Sequence, residues 1–235
     1  MYSLLLALIY LAFISLGLPD SLLGSGWPVM HAELGVPVSS MGVVSMVISG
    51  GTIVSSLLSD KLTRKLGTGG VTAASVLLTV LGLFGFSVST KFWMLLAFAV
   101  PYGLGAGAID AALNNYVALH YKARHMSWLH CFWGVGTIVS PFVMSWALTY
   151  RTWNDGYRTV ALVQLAIAVL LLVTLPVWKA NKTAAETKWS RYAASAGTYD
   201  AGTTVGGMTY QQFIASYNNY KDYLVKGQGD SAIPN

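Results

Sequence analysis

A chain of 235 residues that is 54% hydrophobic and only 10% charged exposes more apolar surface than a water-soluble domain can tolerate, since such domains carry about 25% charged residues. A bilayer solvates that surface instead, so composition points to an integral membrane protein. The formal net charge of +5 does not signal nucleic-acid binding, because the basic residues lie in short pieces between apolar runs and form no continuous stripe.

A membrane-crossing helix needs about 20 mostly apolar residues. Six stretches qualify: residues 4–23, 38–58, 71–88, 92–117, 128–148 and 160–178. The first has neither a basic leader nor a clean small-residue cleavage pattern, so it reads as a retained helix. Pro19, with Gly17 before it and Gly24 and Gly26 after it, makes this helix easy to bend. Trp27-Pro28 then marks its outer end, and residues 24–37 read as a connection without Lys or Arg. Lys61, Arg64, Lys65, Lys122, Arg124, Lys179, Lys182, Lys188 and Arg191 fall in alternate connections on one side; Lys91, Arg151 and Arg158 fall on the other. The positive-inside rule therefore places both termini in the cytoplasm, with the plasma membrane as the expected location. Trp93, Trp146, Trp153 and Trp178 lie near helix ends, as interface anchors do.

The one cysteine, Cys131, sits within an apolar run, allows no intramolecular disulfide and reads as a small buried apolar residue. Residues 1–182 form the membrane unit. Residues 183–235 read as a polar cytoplasmic tail, flexible where Gly, Ala, Ser and Thr dominate, with a short tyrosine-rich helix expected over 208–225.

An internal repeat links the two halves of this unit. Gly17-Leu18-Pro19-Asp20-Ser21-Leu22-Leu23 and Gly107-Ala108-Ile109-Asp110-Ala111-Ala112-Leu113 share the pattern G-x-x-D-x-x-L. Gly51-Thr52-Ile53-Val54-Ser55 recurs unchanged as Gly136-Thr137-Ile138-Val139-Ser140. The helices so paired, first with fourth and second with fifth, cross in opposite directions. The expected fold is therefore an all-α, six-helix transmembrane bundle made of two inverted three-helix repeats, a building unit of secondary transporters.

Asp20 and Asp110 carry the chemistry. A carboxylate inside a membrane helix costs about 2.5–3.5 kcal/mol on insertion scales, so it is neutralised, paired or turned to a water-filled path. Such a group, exchanging its proton with either side, suits proton-coupled transport. A structural alternative for Asp20 is bonding to backbone N–H groups freed by Pro19. Asn114 lies one turn below Asp110 on the same face, and Asn114 and Asn115 offer amides to sugar hydroxyls or to neighbouring helices. His130, within the fifth span, is able to bind solute, relay protons or form an interior hydrogen bond. Gln164 is a weaker candidate of the same kind. Gly103, Gly105 and Gly107 include a G-x-x-x-G step that admits a close neighbouring helix. No metal-ligand spacing, nucleophile elbow or phosphate loop is present; neither catalysis nor a cofactor is expected.

The segment from Ser56 to Gly67, with Asp60, Lys61, Arg64 and Lys65, resembles the helix 2–3 signature of the major facilitator superfamily. Ser56 and Thr63 stand where that pattern has glycine. The resemblance implies that these four charged residues form a gating loop. Gly105 to Asn114 is similar to helix four of the fucose–proton symporter branch, in which an acidic residue and an asparagine occupy the positions of Asp110 and Asn114. An aspartate in helix one of that branch matches Asp20. The resemblance, covering residues 1–180, implies proton symport of a sugar or similar polar solute, with Asp20 and Asp110 coupling protonation to binding.

The same resemblance implies twelve helices in two halves, of which this chain supplies the first. A shortened reading frame, a separate second-half polypeptide or a dimer of halves would each account for that. Rival functions are half of a drug–proton antiporter, and a non-transporting membrane remnant or assembly partner. The partners expected are a small polar solute, a proton, the lipid bilayer and a second half or second copy.

Overall fold

The structure, a computed structural model, describes residues 2–178. The tail and its expected helix over 208–225 lie outside the described residues. Those described form α1 (Tyr2–Gly17), α2 (Leu22–Glu33), α3 (Ser40–Ser87), α4 (Phe92–His120), α5 (Ala123–Tyr150) and α6 (Trp153–Val173). Among the described residues, five stretches are long and apolar enough to cross a membrane, α1 and α2 counting as the single stretch Leu4–Glu33. Helix α3 turns back at Gly67, whose φ of 74° and ψ of 160° leave the helical region. Its arms, 40–66 and 68–87, make six crossings, as expected from sequence.

The first span differs from its expected bounds. It continues through Trp27-Pro28 to Glu33, so residues 24–33 are helix, not connection. Gly and Pro are tolerated in membrane helices where neighbours satisfy the freed backbone groups. The real stop lies later: Gly35 takes φ 66°, Val36 N–H donates to His31 O and Gly35 N–H donates to Ala32 O. This is the paired hydrogen-bond pattern that ends helices at a left-handed glycine, and Pro37 follows. At the start of α6, Thr152 caps by accepting from the backbone N–H of Asp155, an acidic residue placed favourably in the first turn.

Glycines set the helix crossings. A Cβ on Gly17 would run into the Trp133 carbonyl and the Thr137 backbone of α5, and one on Gly136 would run into Ile14 and Leu18 of α1 and its junction. In the other repeat, a Cβ on Gly107 would meet Thr52 of α3, and one on Gly51 would meet Gly103 and Leu104 of α4. The first helix thus crosses the fifth as the fourth crosses the second, and the glycines that allow it are the repeated ones. Small residues admit such backbone approach where no hydrophobic force drives helices together. Gly103 and Gly107 face the first arm of α3 while Gly105 faces Ser75 and Thr79 on the second. Residue numbers rise together along α4 and the first arm, and run oppositely along α4 and the second, so the arms are antiparallel. Hydroxyls of Thr52, Ser56 and Ser59 donate to the carbonyls of Gly103, Gly107 and Ala108 at 3.3, 3.1 and 3.2 Å. Ser56, which replaces a signature glycine, therefore joins α3 to α4.

Among the described residues, two large clusters hold most of the core, with Val71, Ala108 and Ala112 forming a small one between α3 and α4. Residues such as Leu5, Ile9, Phe13, Leu113, Val117 and Leu171 occupy one end; Leu22, Trp27, Met30, Leu95, Ala99 and Trp153 occupy the other. They divide where α1 gives way to α2.

Two expected interface anchors have other roles. Trp153 is buried and donates its indole N–H to Glu33 at 2.6 Å, tying α6 to the end of α2, and Trp178 is buried over Gly69. Trp93 and Trp146 are exposed. Cys131, expected to be buried, is exposed; it belongs to an outward stripe with Trp128, Val135, Ile138, Phe142 and Trp146, the spacing of one helix face.

Gly136→Ala is expected to lower the melting temperature of the purified chain in detergent by several degrees, because overpacking costs about 1–3 kcal/mol. Gly134→Ala, where nothing lies within 4 Å, is expected to leave it unchanged or raise it by the helix preference of about 0.5–1 kcal/mol. Equal responses would remove the crossing from the account.

Candidate functional site

Pro19 has no N–H to continue the helical ladder, and the chain passes from α1 to α2 through turns at residues 18–21. Asp20 N–H donates to Gly17 O at 3.3 Å and Leu22 N–H to Pro19 O at 3.1 Å. This break lies mid-way along the stretch Leu4–Glu33, so Asp20 is not near the end of its span, as a helix ending at residue 23 required. Its partners are side chains. Tyr102 of α4 donates its hydroxyl to Asp20 Oδ1 at 3.1 Å, and Trp133 of α5 donates its indole N–H to Oδ2 at 2.9 Å.

Asp110, at the equivalent repeat position on α4, accepts from Asn114 Nδ2 at 3.0 Å. The i,i+4 pair is the one expected. Asn114 Oδ1 is buried and meets no hydrogen-bond partner among the described residues. Asp20, Asp110 and His130 line one cavity of about 340 Å³, with Phe13, Thr52, Tyr102 and Trp133. His130 sits edge-on to Phe13, ring centres 6.0 Å apart. Asn115 is exposed on α4, and neither asparagine lines this cavity. A second cavity of about 510 Å³ lies toward α2, lined by Ser21, Ser25, Ser45, Ser49 and Tyr157 among others; Asp20, Ile48 and Tyr102 line both. Asp20 with Tyr102 thus forms part of the wall between two chambers.

The signature residues are elsewhere. Asp60, Lys61, Arg64 and Lys65 lie on the exposed end of the first arm of α3, on helix rather than loop, because the chain turns only at Gly67. Arg64 pairs with Asp60 at 2.6 Å, one helical turn away; a pair this exposed contributes about 0.3–0.5 kcal/mol. Among the described residues, no three His, Cys, Asp or Glu side chains gather as a metal site requires.

Sequence reasoning missed Tyr102 and Trp133. Tyr102 precedes Asp110 by eight positions, about two turns on the same helix, and Trp133 is three positions past His130. Both signals were present, but which aspartate they serve depends on how α1, α4 and α5 meet.

The hydrogen bonds around Asp20 define what it can do. The indole N–H only donates, whereas a tyrosine hydroxyl donates or accepts. Oδ2 is therefore fixed as an acceptor, while Oδ1 is able to carry a proton if Tyr102 rotates to accept it. Asp20 can load and release a proton with both contacts retained.

A family model of the Major Facilitator Superfamily matches residues 9–218, which runs past residue 180, where the sequence resemblance stopped. Two Mycobacterium tuberculosis proteins described as uncharacterized MFS-type transporters are 29% identical over 153 residues, 63% of this chain and 22% of theirs. The niacin transporter NiaP of Acinetobacter baylyi is 26% identical over 149 residues, 62% of this chain and 32% of its own. The chain spans about a fifth to a third of the length of these relatives. Crystal structures of the peptide transporter POT share the fold: that with alafosfalin gives a TM-score of 0.57 at 16% identity, covering 85% of this chain and 46% of that one.

Asp20→Asn keeps an oxygen for Trp133 and offers its amide to the Tyr102 oxygen, so the melting temperature in detergent is expected to stay close to the parent's. Asp20→Leu leaves the Tyr102 hydroxyl, on a buried residue, without its acceptor and is expected to destabilise by about 1–3 kcal/mol. Equal stability of the Leu and Asn variants would show that the two hydrogen bonds do not hold this region.

Proposed function

This chain belongs to the Major Facilitator Superfamily, and on that premise we propose that it forms the N-terminal half of a proton-coupled transporter taking up a sugar or similar neutral polar solute, as in the fucose–proton symporter branch. It is a multi-pass membrane protein. The single supporting observation is that Asp20 and Asp110, equivalent in the two inverted repeats, line one cavity with His130. In this scheme Asp20 Oδ1 takes a proton from the outer chamber while the Tyr102 hydroxyl turns to accept from it, and Asp110 with His130 receives protons on the inner side. Neutral carboxyls remove the cost of carrying fixed charge through a low-dielectric wall. Among the described residues no Lys or Arg lines either cavity, which favours a neutral or cationic solute over an anion.

The more basic end of the bundle, with Lys61, Arg64, Lys65, Lys122 and Arg124, faces the cytoplasm in this proposal, in the plasma membrane. A second six-helix half, or a second copy, closes the open side of the cavity.

Reconstituted into vesicles together with its second half, the chain is expected to accumulate labelled sugars under an acid-outside pH gradient and to lose that accumulation with a protonophore. Asp110→Asn, which cannot take up a proton, is expected to reduce gradient-driven uptake to background while membrane insertion is unchanged. Wild-type uptake by this variant would remove Asp110 from the coupling, and proton-driven efflux of a drug would establish the antiporter instead.

A further inference from the structure

The missing Pro19 N–H leaves a second consequence one turn earlier. In a regular α-helix the amide of residue 19 donates to the carbonyl of residue 15; proline cannot. Ser15 is buried, at 1% exposure, so water cannot reach that carbonyl, and a buried unmet acceptor is costly. The donor comes from α6: Gln164 Nε2 donates to Ser15 O. Gln164 is itself 0% exposed, and its Oε1 accepts from the Thr79 hydroxyl on the second arm of α3 at 2.7 Å. The amide has one workable orientation. Flipped, its oxygen would face the Ser15 carbonyl, two acceptors without a proton between them.

We propose that Gln164 is a positioning residue for Asp20: its side-chain amide replaces the backbone N–H that Pro19 lacks and fixes the break in the first span from which Asp20 is held toward Tyr102 and Trp133. Gln164 lines neither cavity and acts only through the break. Three helices meet at this point, α1, α6 and α3, so the orientation of Asp20 is set by elements behind the cavity wall. The inference deepens the proposed role of Asp20, but its geometry holds whatever the solute, and its test needs no transport.

The test uses the full chain purified in detergent, with carbodiimide labelling of carboxyl groups quantified at Asp20 and Asp110 by mass spectrometry. In Gln164→Leu, labelling at Asp20 is expected to change about fivefold, the scale set by one lost hydrogen bond, while labelling at Asp110 stays as in the parent. The melting temperature of Gln164→Leu is expected to fall by several degrees and to recover in the double variant Pro19→Ala/Gln164→Leu, because an alanine in place of Pro19 supplies its own backbone N–H to the Ser15 carbonyl. General loosening of the bundle would instead alter both aspartates together, and that result overturns the proposal. So would unchanged labelling at Asp20, or additive losses of stability in the double variant. Should Gln164→Leu alone fail to fold, the double variant decides: folding supports the substitution of one donor for another, and failure refutes it. Loss of proton-driven uptake in Asp110→Asn bears on the proposed function and leaves this outcome untouched.

Discussion

A helix that breaks within hydrocarbon must find partners for every peptide group the break releases, because no water is there to supply them. The first span faces this constraint at Pro19. The freed Ser15 carbonyl is satisfied by Gln164, and the turn through residues 18–21 closes on Gly17 and Pro19 carbonyls. Asp20 stands within that turn, so its carboxylate projects from a fixed, non-helical backbone toward α4 and α5. The division between the two large core clusters follows the same line. Both chambers that share Asp20 lie against it.

The inverted repeat gives two aspartates equivalent addresses and unlike surroundings. Asp20 is held by donors from two other helices; Asp110 is held by an amide on its own helix. The repeated glycines keep the frames alike, since Gly17 against α5 and Gly107 against α3 admit the same backbone approach. The asymmetry comes from proline. Helix α4 has Ile109 where the first span has Pro19, so α4 runs unbroken through Asp110 and the carboxylate emerges from a regular helix. One repeat thus supplies a carboxylate whose setting depends on three helices, the other a carboxylate whose setting is local.

Six crossings were legible because a bilayer demands long apolar runs, and no packing detail enters that requirement. The repeat was legible because close helix crossings need glycine at particular steps. The end of the first span was not: Gly24, Gly26 and Pro28 read as a loop in isolation, yet Gly26 packs on Met30 and Met144, and the neighbouring helices carry the segment to Gly35. The charged signature was legible as residues but not as structure, because only the φ of Gly67 shows where the helix stops. Trp153 resembled an interface anchor by position alone; its bond to Glu33 joins residues 120 apart in sequence. Gln164 carried the deepest ambiguity. A lone buried amide states that a hydrogen bond exists, and only the fold reveals that its acceptor is a carbonyl orphaned by a proline 145 positions away.

The wall this chain contributes also constrains the proposed solute. It offers two carboxylates, an imidazole, a phenol and an indole, with apolar Phe13, Leu16 and Ile48 between them. An ionised carboxylate only accepts and a protonated one also donates, so hydroxyl groups, which do both, suit either state. The indole N–H of Trp133 is already committed to Asp20, which leaves its ring rather than its nitrogen for contact with an apolar face of a solute. A polyol with alternating hydroxyl and C–H faces meets both demands at once. An anion would meet two carboxylates with no Lys or Arg beside them in the lining of this cavity. In the proposed transporter the solute meets this wall as a pair of carboxylates set among apolar and aromatic side chains.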